Sequence, residues 1–202
     1  MGRSSGTVSA ERAGSDRAPD RPMRADAQRN REHLIAAARV AFTERGSAAS
    51  LEDIARRAGV GVGTLYRHFP TRQALVEAVY VDEVEALCRS AADEAGGSSW
   101  DALVQWFNRF VDYVVTKHAL IDEMVATIGQ DARIFRTCHD AIFAAGEPLL
   151  NQAKEDGFVR PDVEFVDVIR MVGAITMIRN STPEQIQRVL SMALDGLRYR
   201  PS

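Results

Sequence analysis

A chain of 202 residues with 46% apolar and 26% charged side chains can bury one large core or two small ones, so disorder of the whole chain is excluded. Its longest largely apolar run, Met171 to Ile178, is far short of the roughly 20 residues that span a bilayer. Two cysteines, Cys88 and Cys138, with neither a C-x-x-C pair nor a secretory leader, point to a reduced, cytoplasmic setting.

Residues 1–24 are rich in Gly, Ser, Arg, Asp and Pro with almost no large apolar side chain, and are predicted to be a disordered tail; Met23 is an alternative start. From Asp26 the pattern turns helical, with Leu34, Ile35, Ala38, Ala41 and Phe42 on one face and Gly46 as the stop. Ser50-Leu51-Glu52-Asp53 opens a short second helix, whose apolar positions Leu51, Ile54, Ala55 and Ala58 precede Gly59. A third helix from about Val62 buries Leu65 and Phe69, and Pro70 with a Thr71 cap restarts the chain as a fourth.

Longer helices follow. Ser98 or Ser99 caps one from Trp100 to about Lys117, and helical stretches are expected at 121–128, 134–144 and 148–154, with Pro148 breaking or kinking the last two. Asp162 caps a helix from Val163 to about Ile178 that is apolar nearly all round, and Thr182-Pro183 opens the last. Period-2 alternation is almost absent, so the class is all-α.

The net charge of −3 is unevenly spread. Residues 21–80 hold 10 basic and 6 acidic side chains, whereas residues 81–202 hold 12 and 19. A basic head on an acidic body is the layout of a protein that docks one part on phosphate. Two short helices joined by Gly59-Val60-Gly61 and anchored by an earlier helix form a helix-turn-helix unit, whose second helix enters the DNA major groove. On that helix Thr64, Tyr66, Arg67 and His68 crowd hydrogen-bond donors onto a turn and a half. The groove is their expected ligand.

The stretches IAAARVAFTERG and LEDIARRAGVGVGTLYRHFPTRQALVEAVY, within about Arg24 to Tyr80, resemble the amino-terminal domain of the tetracycline-repressor-like (TetR) family of bacterial regulators. The resemblance implies a helix-turn-helix DNA-binding domain over 25–72 and a helical ligand-binding and dimerisation domain over 73–200. It implies phosphate contacts from Tyr66, His68 and Arg72, groove-facing positions at Val62, Gly63, Thr64 and Arg67, and a place near the DNA backbone for Ser50. Many members carry Ser-Lys where this chain has Gly61-Val62. A usual phosphate-binding lysine is therefore missing, Val62 offers only an apolar contact, and Arg67 is left as the specific base reader.

In the body, Ile186, Val189, Leu190, Ala193, Leu194 and Leu197 form one stripe on the last helix, and the resemblance implies that the last two helices of each of two chains make a four-helix dimer seam. Trp106, Phe107, Phe110, Val114, Met124, Phe135, Cys138, Phe143 and Met171 are expected to line a pocket for an unidentified small molecule, beside Trp100, Tyr113, His118 and His139. The same residue types also make ordinary cores. By resemblance, the ligand releases DNA by favouring a wider separation of two heads on a palindromic operator. No phosphate-binding glycine loop or H-E-x-x-H is present, and Cys138-His139 point about 100° apart on a helix. Neither catalysis nor a metal or cofactor is expected. The alternatives are a ligand-independent or a redox-sensing DNA-binding protein.

Overall fold

The computed structural model describes residues 21–92, 97–128, 133–178 and 181–199. Among them are eight α-helices and no β-strand: α1 Arg21–Arg45, α2 Leu51–Arg57, α3 Val62–His68, α4 Arg72–Ser90, α5 Ser99–Ile128, α6 Arg133–Glu155, α7 Phe165–Thr176 and α8 Pro183–Asp195. The expected all-α class is therefore the observed one. Residues 1–20 of the expected tail lie outside the described residues. Residues 21–24 do not belong to a tail, because α1 starts at Arg21. From Arg24 on, its first buried residue is Leu34, so the turns over 24–33 stand on the helix propensity of Arg, Ala and Gln rather than on burial.

The head is closed by turn chemistry visible in the sequence. Gly46 and Gly59 take φ of 52° and 71° at the ends of α1 and α2, a region costly for other residues. The Ser50 hydroxyl accepts from the Asp53 N–H at 3.1 Å, and the Thr71 hydroxyl accepts from the Ala74 N–H at 3.0 Å, each satisfying an orphan donor at a helix start. Leu34, Phe42, Ile54, Leu65 and Phe69 then pack as one fully buried cluster.

The body departs from the expected boundaries in three places. First, α5 continues unbroken past Lys117 to Ile128, because no Gly or Pro lies between Trp100 and Ile128. Its start is capped by Ser98, whose hydroxyl accepts from the Asp101 N–H at 3.2 Å while Asp101 accepts from the Ser98 N–H at 3.0 Å. Second, α6 runs through Pro148. Pro148 and Ala144 are both exposed, so the carbonyl deprived of its helical partner is on the solvent side. Third, α7 begins at Phe165 after Glu164, not after Asp162. Asp162 is held instead by the Arg160 guanidinium at 3.0 and 2.5 Å.

At the centre, Trp106 stacks on Phe110 with ring centroids 5.7 Å apart and meets Phe107 edge-on at 5.2 Å. Gly146 of α6 admits this cluster: a Cβ there would lie 2.5 Å from both Phe165 Cζ and Trp106 Cη2. Arg39 of α1 ties head to body through Asp82 and Glu83 of α4. No helix among the described residues is long and apolar enough to cross a membrane.

Candidate functional site

The head presents α3 as a short rod anchored by Leu65 and Phe69, which are buried. With these two positions turned inward, the helical period turns Gly63, Tyr66 and Arg67 outward, and all three are exposed. Val62 is exposed as well, and Thr64 and His68 lie half-buried at the flanks. Gly61 caps the helix in an extended conformation, and nothing lies within 4 Å of where a Cβ would sit on Gly61 or Gly63. The open ground in front of them lets another backbone come close. Six of the eight residues expected to meet DNA therefore lie on α3, a seventh, Ser50, caps α2, and none of these seven is buried.

The eighth, Arg72, is placed differently. Its guanidinium donates to the carbonyls of Ala49, of Ser47 at 3.1 Å and of Gly46 at 3.4 Å, and lies 5.0 Å over the Phe42 ring. The first residue of α4 thereby braces the corner between α1 and α2, next to the Ser50 cap. Asp53 gathers Arg45, Arg56 and Arg57 around that same corner, and Arg57 also reaches Glu44 at 2.9 Å.

In the body a cavity of about 400 Å³ lies among α4, α5, α6 and α7, a size typical of small-molecule sites. Its apolar wall includes Phe110, Val114, Phe135 and Phe143 from the expected set. The other five are elsewhere. Trp106, Phe107 and Met124 are sealed in the core, Met171 does not reach the cavity, and Cys138 lines a separate hollow between α4 and α6.

Sequence reasoning missed the cavity's polar members Tyr80 and Lys117. Tyr80 and Tyr113 join their hydroxyls at 3.3 Å, and burial pushes both phenols above their usual range. Burial pushes the Lys117 ammonium below the ordinary lysine range. The signal for Lys117 was its spacing: it lies seven residues after Phe110 and four after Tyr113, on the inward stripe of α5. Truncating α5 at this residue made it look like a helix end.

The stripe on α8 splits in two. Leu190 and Leu194 are covered by the chain itself, at 1% and 2% exposure, so these two belong to the core rather than to an outer seam. Val189 is exposed and Ile186, Ala193 and Leu197 are half-buried, while Met192, absent from the expected set, is 72% exposed. The α7 helix is not apolar all round either, since Asp167 and Arg170 form an exposed, paired edge.

Residues 34–79 match the family of bacterial regulatory proteins named for tetR, and residues 99–199 match the C-terminal domain of SbtR-like transcriptional regulators. The TetR transcriptional regulator SCO0520 from Streptomyces coelicolor is 38% identical, with a TM-score of 0.76 over 85% of this chain and 99% of its own. A TetR regulatory protein from Mycobacterium vanbaalenii is 34% identical, with a TM-score of 0.71 over 88% and 100%. The HTH-type transcriptional regulator UidR of Escherichia coli is 27% identical over 87% of this chain and 93% of its own length. With the exposed α3 on a packed three-helix head and a helical body behind it, these matches show that the chain belongs to the TetR family of DNA-binding transcriptional regulators.

Proposed function

We propose that the protein is a cytoplasmic repressor that binds a palindromic operator as a homodimer and is released when a small, largely apolar molecule fills the body cavity. The observation that carries this reading is the double attachment of α4. Arg72 at its start holds the α1–α2 corner, Asp82 and Glu83 hold Arg39 of α1, and Tyr80 between them lines the cavity. An occupant that shifts α4 shifts the head with it. Its leverage is only its difference in affinity for the two head positions, so a hundredfold loss of DNA binding requires about 3 kcal/mol of coupling.

On DNA, Tyr66 and His68 meet phosphates, Val62, Gly63, Thr64 and Arg67 face base edges, and the Ser50 end of α2 lies along the backbone. A single unit of this size covers too little DNA for useful specificity, which favours two copies on two half-sites. The redox reading is disfavoured because burial pushes the Cys138 thiol up, away from the reactive thiolate.

Footprinting on DNA flanking the gene is expected to give one short palindrome. Gel shifts then separate the roles. Arg67→Ala is expected to cost about 1–3 kcal/mol on the native operator and relax preference at one base pair, while Tyr66→Ala weakens binding to all sequences alike. Broad coating of DNA, or unchanged affinity in both variants, would overturn the assignment.

A further inference from the structure

We propose that the body cavity takes a monoanionic organic acid, its carboxylate on the Lys117 ammonium and its aromatic or aliphatic body against Phe110, Phe135 and Phe143. The inference rests on the ligand-response reading above and names the chemical class of the ligand. The polar groups of the cavity are Lys117, the hydroxyls of Tyr80 and Tyr113, and the rings of His118 and His139. Every one of them can donate a hydrogen bond, and no carboxylate is among the described lining residues. Tyr80 and Tyr113 also remain protonated donors, since burial raises both.

Lys117 is the only lysine or arginine among the described lining residues, and no acid within salt-bridge distance of it is found among the described residues. A half-buried ammonium with no counter-ion among the described residues is held at a desolvation cost, which an anion arriving with the ligand removes. One ammonium balances one negative charge, which favours a carboxylate over a phosphate dianion. The remaining wall is apolar, including Val114, Ile142 and Ile169, so the acid must carry a body of comparable size. His139, stacked 4.4 Å from Phe143, is exposed, as is His118; both stand where the cavity meets solvent.

The test uses the full-length protein and matched acid and amide pairs: 4-phenylbutyrate, 1-naphthylacetate and octanoate, each with its amide. The neutral dye N-phenyl-1-naphthylamine reports cavity access. At least one acid is expected to displace the dye with a Kd about tenfold below that of its amide, the scale of a charge-assisted hydrogen bond. That acid is also expected to release operator DNA. Lys117→Met is expected to abolish the preference and Lys117→Arg to keep it, the ratio of acid to amide affinity being read within each variant. If acid and amide bind alike, or the preference survives Lys117→Met, the carboxylate assignment is overturned while the ligand-response reading stands. If the dye finds no site and no compound releases operator, both fall together.

Discussion

At the scale of single residues, the positions that matter most are those where a side chain is constrained from two directions. Gly146 is one. Its missing Cβ is what lets Trp106 and Phe165 close on α6, and both rings are already locked by Phe107 and Phe110. Gly146→Ala is therefore expected to destabilise the protein despite the better helix propensity of alanine, by about 1–3 kcal/mol of overpacking. Urea unfolding checks this, and a variant as stable as the parent would mean that the aromatic cluster yields. Nothing in the sequence marked this glycine, since its role depends on which helix crosses α6. Lys117 was hidden for a related reason: its spacing was legible, but a lysine is ordinarily read as solvated. By contrast Tyr66, Arg67, Leu65 and Phe69 were legible at once, because a seven-residue helix has room for only one inner and one outer face.

At the scale of elements, starts and stops written in local chemistry were readable and those set by packing were not. Ser50, Thr71 and Thr182 cap the helices they were expected to cap, and Thr182 with Gln185 forms a reciprocal pair at 3.3 and 2.8 Å. Pro148 misled because its effect depends on whether its turn faces solvent, and Asp162 because Arg160 competes for it. Arg72 shows how one element places another. Sequence alone leaves it as a cation at a helix start, whereas the structure wraps it around three carbonyls of the α1–α2 corner. A point charge and a planar fork make different predictions here. Were Arg72 only a phosphate clamp, Arg72→Lys would keep operator affinity and its salt dependence. As a brace, Arg72→Lys and Arg72→Ala are both expected to loosen the head, lowering its thermal midpoint and weakening operator binding together. Differential scanning calorimetry alongside salt-titrated gel shifts distinguishes the two, and full rescue by lysine would restore the clamp.

At the scale of the whole molecule, the acidic body and basic head separate what docks on DNA from what does not, and this asymmetry was readable from the charge distribution. The assembly was less readable, because a broad apolar stripe on α8 does not say which of its edges faces inward. The structure assigns Leu190 and Leu194 to the chain's own core and leaves Val189 and Met192 open. In a two-fold dimer a residue near the axis meets its own copy, so the two faces respond differently to the same change. Leu190→Glu buries an unpaired carboxylate inside each chain and is expected to unfold it. Met192→Glu places a charge on a surface already 72% exposed, where the lone chain should lose no more than about 0.5 kcal/mol. Across a seam, however, it brings two carboxylates together in apolar surroundings. If the proposed seam runs through Met192, the expected result is a folded monomer by sedimentation and circular dichroism, at concentrations where the parent protein sediments as the proposed dimer. Operator affinity should fall steeply, because the two half-sites are no longer gripped at once, while each head keeps its weak hold on a single half-site. A Met192→Glu protein that sediments with the parent and binds the operator equally well would place the seam on another face. The groove where Val111 and Val115 of α5 approach Ile186 of α8 would then be the next surface to charge.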